Sequence, residues 1–96
     1  MKIRLTRLGD GATDTNVPHK KVRHSPTGFE WGYGGSGPAD LALNILLMFI
    51  PERLADELYQ EFKWDVISHI PKSGAEISEE SVRAWIRKHT QGDELG

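Results

Sequence analysis

The run Leu41–Ile50, read as LALNILLMFI, constrains this chain more than any other segment. It is interrupted only by Asn44 and stopped by Pro51. About 20 apolar residues are needed to cross a bilayer, so the run is too short to span one. As a helix it puts apolar side chains around nearly its whole circumference, and such a helix must be covered on most sides. The rest of the chain therefore has to be built around it. With 96 residues in all, the sequence suits a single domain with one modest core.

The neighbours of this run read as further helices. Pro38 suits a first helical position, where no N–H is needed, and Asp40 falls beside the positive end of the dipole. The first helix is expected over Pro38–Phe49, with Leu43, Leu46 and Leu47 innermost. A second runs from Pro51 to about Ile70. In it Leu54, Leu58 and Phe62 recur every four residues, and Ala55, Tyr59, Val66, Ile67 and Ile70 widen the stripe. Pro71 stops it, and Lys72–Ile77 reads as loop. Ser78 caps a third helix that reaches about Thr90, with Val82, Trp85 and Ile86, and His89 at its margin, as the expected buried face. Gly92 ends it, leaving 92–96 as a tail that frays.

The N-terminal third reads as strands. Lys2–Leu8 alternates, with Ile3, Leu5 and Arg7 on one face. Asp10-Gly11 signals a turn, and Ala12–Pro18 has no period. His19–His24 is a weak second strand, Ser25–Gly28 a turn, and Phe29–Tyr33 a third strand. The expected fold is α+β: a small antiparallel meander of about three strands, then three helices, the first largely buried. One domain covers residues 1–91.

Charge and composition narrow the chemistry. The chain has no cysteine, which excludes a disulfide framework, a thiolate zinc site and a cysteine nucleophile. Residues 1–36 carry six basic and three acidic side chains, residues 37–96 six and eleven. A basic N-terminal face on an acidic body permits contact with nucleic-acid phosphate at Arg4, Lys20, Lys21 and Arg23, although a bulk nucleic-acid binder would be basic overall. No secretory signal or membrane segment is evident, so the default location is cytoplasmic.

The glycine-rich segment is the most informative stretch for function. Gly32-x-Gly34-x-x-Gly37 formally matches a dinucleotide fingerprint between a strand and a helix. No second parallel strand follows it, and the acids at the required distance, Asp56 and Glu57, lie on a helix. Pro38-Ala39 stands where a P-loop needs Lys-Ser/Thr. Ser36 has no nearby His–acid pair to activate it as a nucleophile. What survives is a run of backbone N–H groups at a helix N-terminus, suited to a phosphate or to a partner's carboxylate. The structural alternative is a loop that needs positive φ and close packing.

Alternation puts Phe29, Trp31 and Tyr33 on one strand face. Exposed, such a row would stack bases or anchor a protein partner. Buried, it is the core face of the sheet, which a small domain favours, and the glycines after Tyr33 could leave one ring tip at the surface. The candidate binding set is therefore Trp31, Tyr33, Gly34, Gly35, Ser36 and Gly37, with Arg23 and His24 from the preceding strand. No cofactor and no metal site is expected. His19 and His24 point to opposite faces of a strand, and His69 and His89 read as cations near helix ends. Asp10, Asp14 and Asn16 match only part of a calcium loop.

The block SPTGFEWGYGGSGPADLALNIL, Ser25–Leu46, resembles the core of an uncharacterised family of small proteins from bacteria and their phages, a domain of unknown function. Phe62–Ile67, Ile70-Pro71 and Val82-x-x-Trp85-Ile86 are also similar to it. Where that family often has an aromatic before the third helix, this chain has Ser73-Gly74-Ala75. The resemblance implies a mobile-element context and transfers no catalytic residue. The expectation is a non-enzymatic accessory protein of a phage or mobile element that binds a host protein or protein complex, such as an inhibitor of a host defence system of the anti-CRISPR kind. The alternatives are a small-ligand or nucleotide-phosphate binder using the glycine loop, and a nucleic-acid accessory protein.

Overall fold

A computed structural model describes residues 1–24 and 28–95, with side chains as far as Thr90. Residues 25–27 of the turn expected over Ser25–Gly28, and the last residue of the expected tail, lie outside the described residues. The order is β1 (Lys2–Arg7), β2 (Thr13–Thr15), α1 (Ser36–Leu47), α2 (Glu52–Asp65), a short 3-10 turn (Ile67–His69), β3 (Gly74–Ser78) and α3 (Glu79–Leu95). This is the expected α+β class, with three antiparallel strands and three helices. Among the described residues no helix is long and apolar enough to cross a membrane.

The expected alternation holds in β1, where Ile3 and Leu5 are buried and Lys2, Arg4 and Thr6 are exposed. The other two strands are not where local pattern puts them. β1 is central, in the order β2-β1-β3, and both neighbours come from segments that read as loops. β2 is three residues long and pairs Leu5 with Thr15 and Arg7 with Thr13. Asn16 extends it with its side chain, accepting the Arg4 N–H at 2.8 Å and donating to the Lys2 carbonyl at 2.8 Å. β3 pairs Ile3 with Ile77 and Leu5 with Ala75. It opens on Gly74, at φ +117°, where a Cβ would collide with the Leu5 carbonyl. Only glycine fits there.

Both edges of β1 are taken, and the segments expected as strands at 19–24 and 29–33 join no ladder. Residues 20–24 form a strap across α1, and the helix supplies the hydrogen-bond partners. Asn44 Oδ1 accepts the N–H groups of Lys20 and Lys21 at 2.7 and 3.0 Å, and its Nδ2 donates to the Lys21 carbonyl at 2.9 Å. One turn earlier, Asp40 Oδ1 accepts the N–H groups of Arg23 and His24 at 3.2 and 3.1 Å. α1 begins at Ser36, two residues before the expected start. Asp40 is thus no longer a first-turn acid, and it is fully buried as a backbone acceptor.

From Gly37 to Leu46 every residue of α1 is buried, as its all-round apolar character demands. Leu43 and Leu46 are inaccessible, whereas Leu47, expected to be among the innermost, is half-buried at the helix end. α2 ends at Asp65, short of the expected Ile70. Its continuation is the 3-10 turn, which buries Ile67. The Ser78 cap is present, its hydroxyl accepting the Ser81 N–H at 3.1 Å. α3 passes through Gly92 to Leu95. A helical glycine costs only about 1 kcal/mol against alanine, and no proline follows to stop the helix.

Candidate functional site

The segment from Phe29 to Tyr33 divides sharply. Phe29 and Trp31 belong to the core cluster, and Trp31 is fully inaccessible. The Trp31 indole N–H donates to the Lys72 carbonyl at 3.1 Å. The Arg7 guanidinium lies 5.0 Å from its ring centroid, a favourable cation–π position. Arg7 also makes two 2.7 Å bonds to the Glu30 carboxylate, the fork-to-fork geometry that suits arginine. Its Nε donates to the Lys72 carbonyl at 3.1 Å. The bonds from Arg7 hold the Glu30 carboxyl below its ordinary range, against a smaller opposing effect of burial. Trp31 thus anchors the core, and its ring is out of a partner's reach.

Two residues later Tyr33 is 49% exposed. Gly34 packs against the ring of Trp64, so closely that a Cβ there would collide with Cη2 and Cζ3 of the indole. Gly35 lies as close to the Tyr33 ring. Positive φ, expected for the loop as a whole, occurs within it only at Gly32. At Gly34 and Gly35 the two rings, as placed, occupy the space a Cβ would take. Gly37 is buried, with Glu30 Cβ 2.7 Å from where its own Cβ would be.

These contacts form a shelf of two rings, Tyr33 and Trp64, on either side of the glycine backbone. Trp64 is 56% exposed. The Lys63 ammonium lies 4.3 Å from the Trp64 ring centroid, while Lys63 as a residue is only 7% exposed. Its stem is therefore buried along the apolar surface beside the indole. The shelf runs onto the start of α1. Ser36, its first residue, is exposed. Gly35 is the N-cap and no side chain caps the helix. The first-turn N–H groups and the dipole favour a negative group there.

Arg23 and His24 serve a different purpose. The Arg23 guanidinium is 3.0 Å from Asp56 and 3.5 Å from Glu52 on α2, and Lys21 pairs with Glu52. His24 Nε2 bonds the Tyr59 hydroxyl at 2.8 Å. Both residues thus hold the strap on α2. Trp64 is the residue that sequence reasoning missed. It lies two positions after Phe62, about 200° around a helix turning 100° per residue, and so on the side away from the apolar stripe. A large aromatic on a helix's polar face was the available signal.

A model for a family of unknown function, DUF6166, matches residues 4–88. No curated protein and no solved structure matches the chain.

Proposed function

The chain belongs to this family of unknown function, and we propose that it is a non-enzymatic binding module that docks a protein partner on the Tyr33–Trp64 shelf. The observation that carries the reading is the exposure of these two rings packed against the Gly34–Gly35 backbone. Aromatic rings desolvated at the centre of an interface supply much of its binding energy. The open start of α1 at Ser36 adds a place for a carboxylate from the same partner. In its finer form, the module is an accessory protein of a phage or mobile element, and its partner is a host protein, such as a component of a defence complex.

Nucleic acid is less well served. Of the basic side chains in the first third, Lys2, Arg7, Lys21 and Arg23 already face carboxylates of this chain. Their phosphate affinity competes with those pairs.

The test compares the wild type with Tyr33→Ala/Trp64→Ala and with Ser36→Ala, each also followed by thermal melting. The expected result is a stoichiometric partner protein recovered from bacterial lysate by the wild type and lost by the double variant at unchanged melting temperature. Equal recovery by the double variant overturns the reading. So does recovery of a nucleotide or nucleic acid, detected by absorbance, in place of a protein.

A further inference from the structure

The Tyr33–Trp64 shelf leaves unused a second cluster, where the last two turns of α2 meet α3. Glu61 and Asp65, four residues apart, share one face of α2. His89 faces them from α3, with Nε2 3.5 Å from Glu61 Oε2 and 3.5 Å from Asp65 Oδ2. One ligand atom from each of the three residues lies within 4.8 Å of the others. His89 was expected near a helix end, but it sits inside α3 and bonds no terminal carbonyl. Its Nδ1 is 2.8 Å from the carbonyl of Trp85, one turn back. A carbonyl only accepts, so Nδ1 carries the hydrogen, and Nε2 is the atom turned toward the carboxylates.

From these placements we infer that Glu61, Asp65 and His89 form a binding site for a divalent first-row transition metal ion, zinc fitting best. Three arguments support it. The first is spacing: 3.5 Å is long for an N–H···O bond, whose usual range ends near about 3.2 Å. The two His89 distances match the edge of a tetrahedron with metal–ligand bonds of about 2.0–2.1 Å, which is about 3.4 Å, and closing the third edge asks only for a turn of the exposed Glu61 carboxylate. The second is orientation by groups outside the cluster. Trp85 donates its indole N–H to Asp65 Oδ2 at 3.0 Å and stacks on the His89 ring at a centroid distance of 3.9 Å. Trp85 is itself seated edge-on against the buried Phe62, 4.9 Å away. One residue fastened to the core thus aims two of the three ligands, as partners outside a metal's coordination sphere typically do. The third is donor chemistry. An imidazole with two carboxylates suits zinc and its neighbours, whereas calcium and magnesium take all-oxygen sets. Three protein ligands leave a fourth position for water or for a group from another molecule.

The experiment titrates the full chain with Zn2+, Co2+ and Mg2+, following heat of binding, melting temperature and the visible absorption of Co2+. Expected are one Zn2+ per chain, a raised melting temperature, tetrahedral Co2+ bands and no response to Mg2+. His89→Gln should remove binding. Because Glu61 is the most exposed of the three, Glu61→Gln tests the site without touching the core, and a loss of at least tenfold in affinity is expected. Trp85→Phe keeps a ring but loses the bond to Asp65, and should weaken binding about 10–100-fold. The inference is overturned if Zn2+ does not bind one per chain, or if it binds equally well to Glu61→Gln and His89→Gln, which would place the ion on the other histidines.

Discussion

Trp31 and Trp64 are both tryptophans beside a cation, and the chain uses them in opposite ways. Arg7 over Trp31 is tied to Glu30 and Lys72, and the indole N–H is bonded as well, so the cluster is closed by its own hydrogen bonds. Lys63 beside Trp64 makes no ion pair among the described residues, and the ring is more than half open. An aromatic near a glycine-rich turn is thus neither core nor interface by type. What covers it decides. Trp31 bonds the Lys72 carbonyl and lies beside Arg7 of β1, whereas Trp64 has the Gly34 backbone and Lys63 against it and stays 56% exposed.

The largest effect should separate the two rings. Trp31→Ala removes a fully inaccessible ring and should cost about 3–5 kcal/mol. Trp64→Ala should change stability by no more than about 0.5 kcal/mol, as at an ordinary surface site. Denaturant melts of both variants check this, and equal losses would erase the distinction. Next in size is the strap that covers α1 on another side. Asp40→Ala removes a buried carboxylate that accepts the part-buried N–H groups of Arg23 and His24, and should cost about 1–3 kcal/mol. Hydrogen exchange at those two amides should speed up with it, and an unchanged exchange rate would mean that the strap is held by other contacts.

The smallest effect is the pH response of the closed cluster. The folded Glu30 carboxyl is held below its ordinary value of 4.5, chiefly by its bonds from Arg7. Its contribution to stability is therefore complete above that value and is lost as pH falls through the lower folded one. The melting temperature of the wild type should exceed that of Glu30→Gln near neutrality, and the gap should close in acid. A gap that does not shrink at all as the pH is taken well below 4.5 would show that the Arg7–Glu30 pair is not its source.

Much of the scaffold was legible in the sequence for a local reason. A helix declares itself by side chains three and four residues apart, so the all-round apolar α1, the stripe of α2 and the Ser78 cap needed no knowledge of distant partners. The alternation of β1 is equally local. The candidate site was half legible. Its glycines, Tyr33 and Ser36 stood out by composition, but Trp64 joins them from α2, and Trp31, Arg23 and His24 turned out to be occupied within the chain.

By itself, then, the sequence determined the α+β class, the three helices and the burial of the first, because these follow from periodicity and caps within a few residues. Only the tertiary structure decided which segments flank β1. Strand pairing is non-local, and a weak segment such as 74–78 becomes a strand when Ile77 and Ala75 find Ile3 and Leu5 opposite. The stronger-looking 29–33 does not, and its Phe29 and Trp31 enter the core without pairing. The same holds for the polar groups of α1. Asp40 and Asn44 look like ordinary helix residues until the strap places its N–H groups against them, and a buried backbone donor must find an acceptor wherever the fold supplies one.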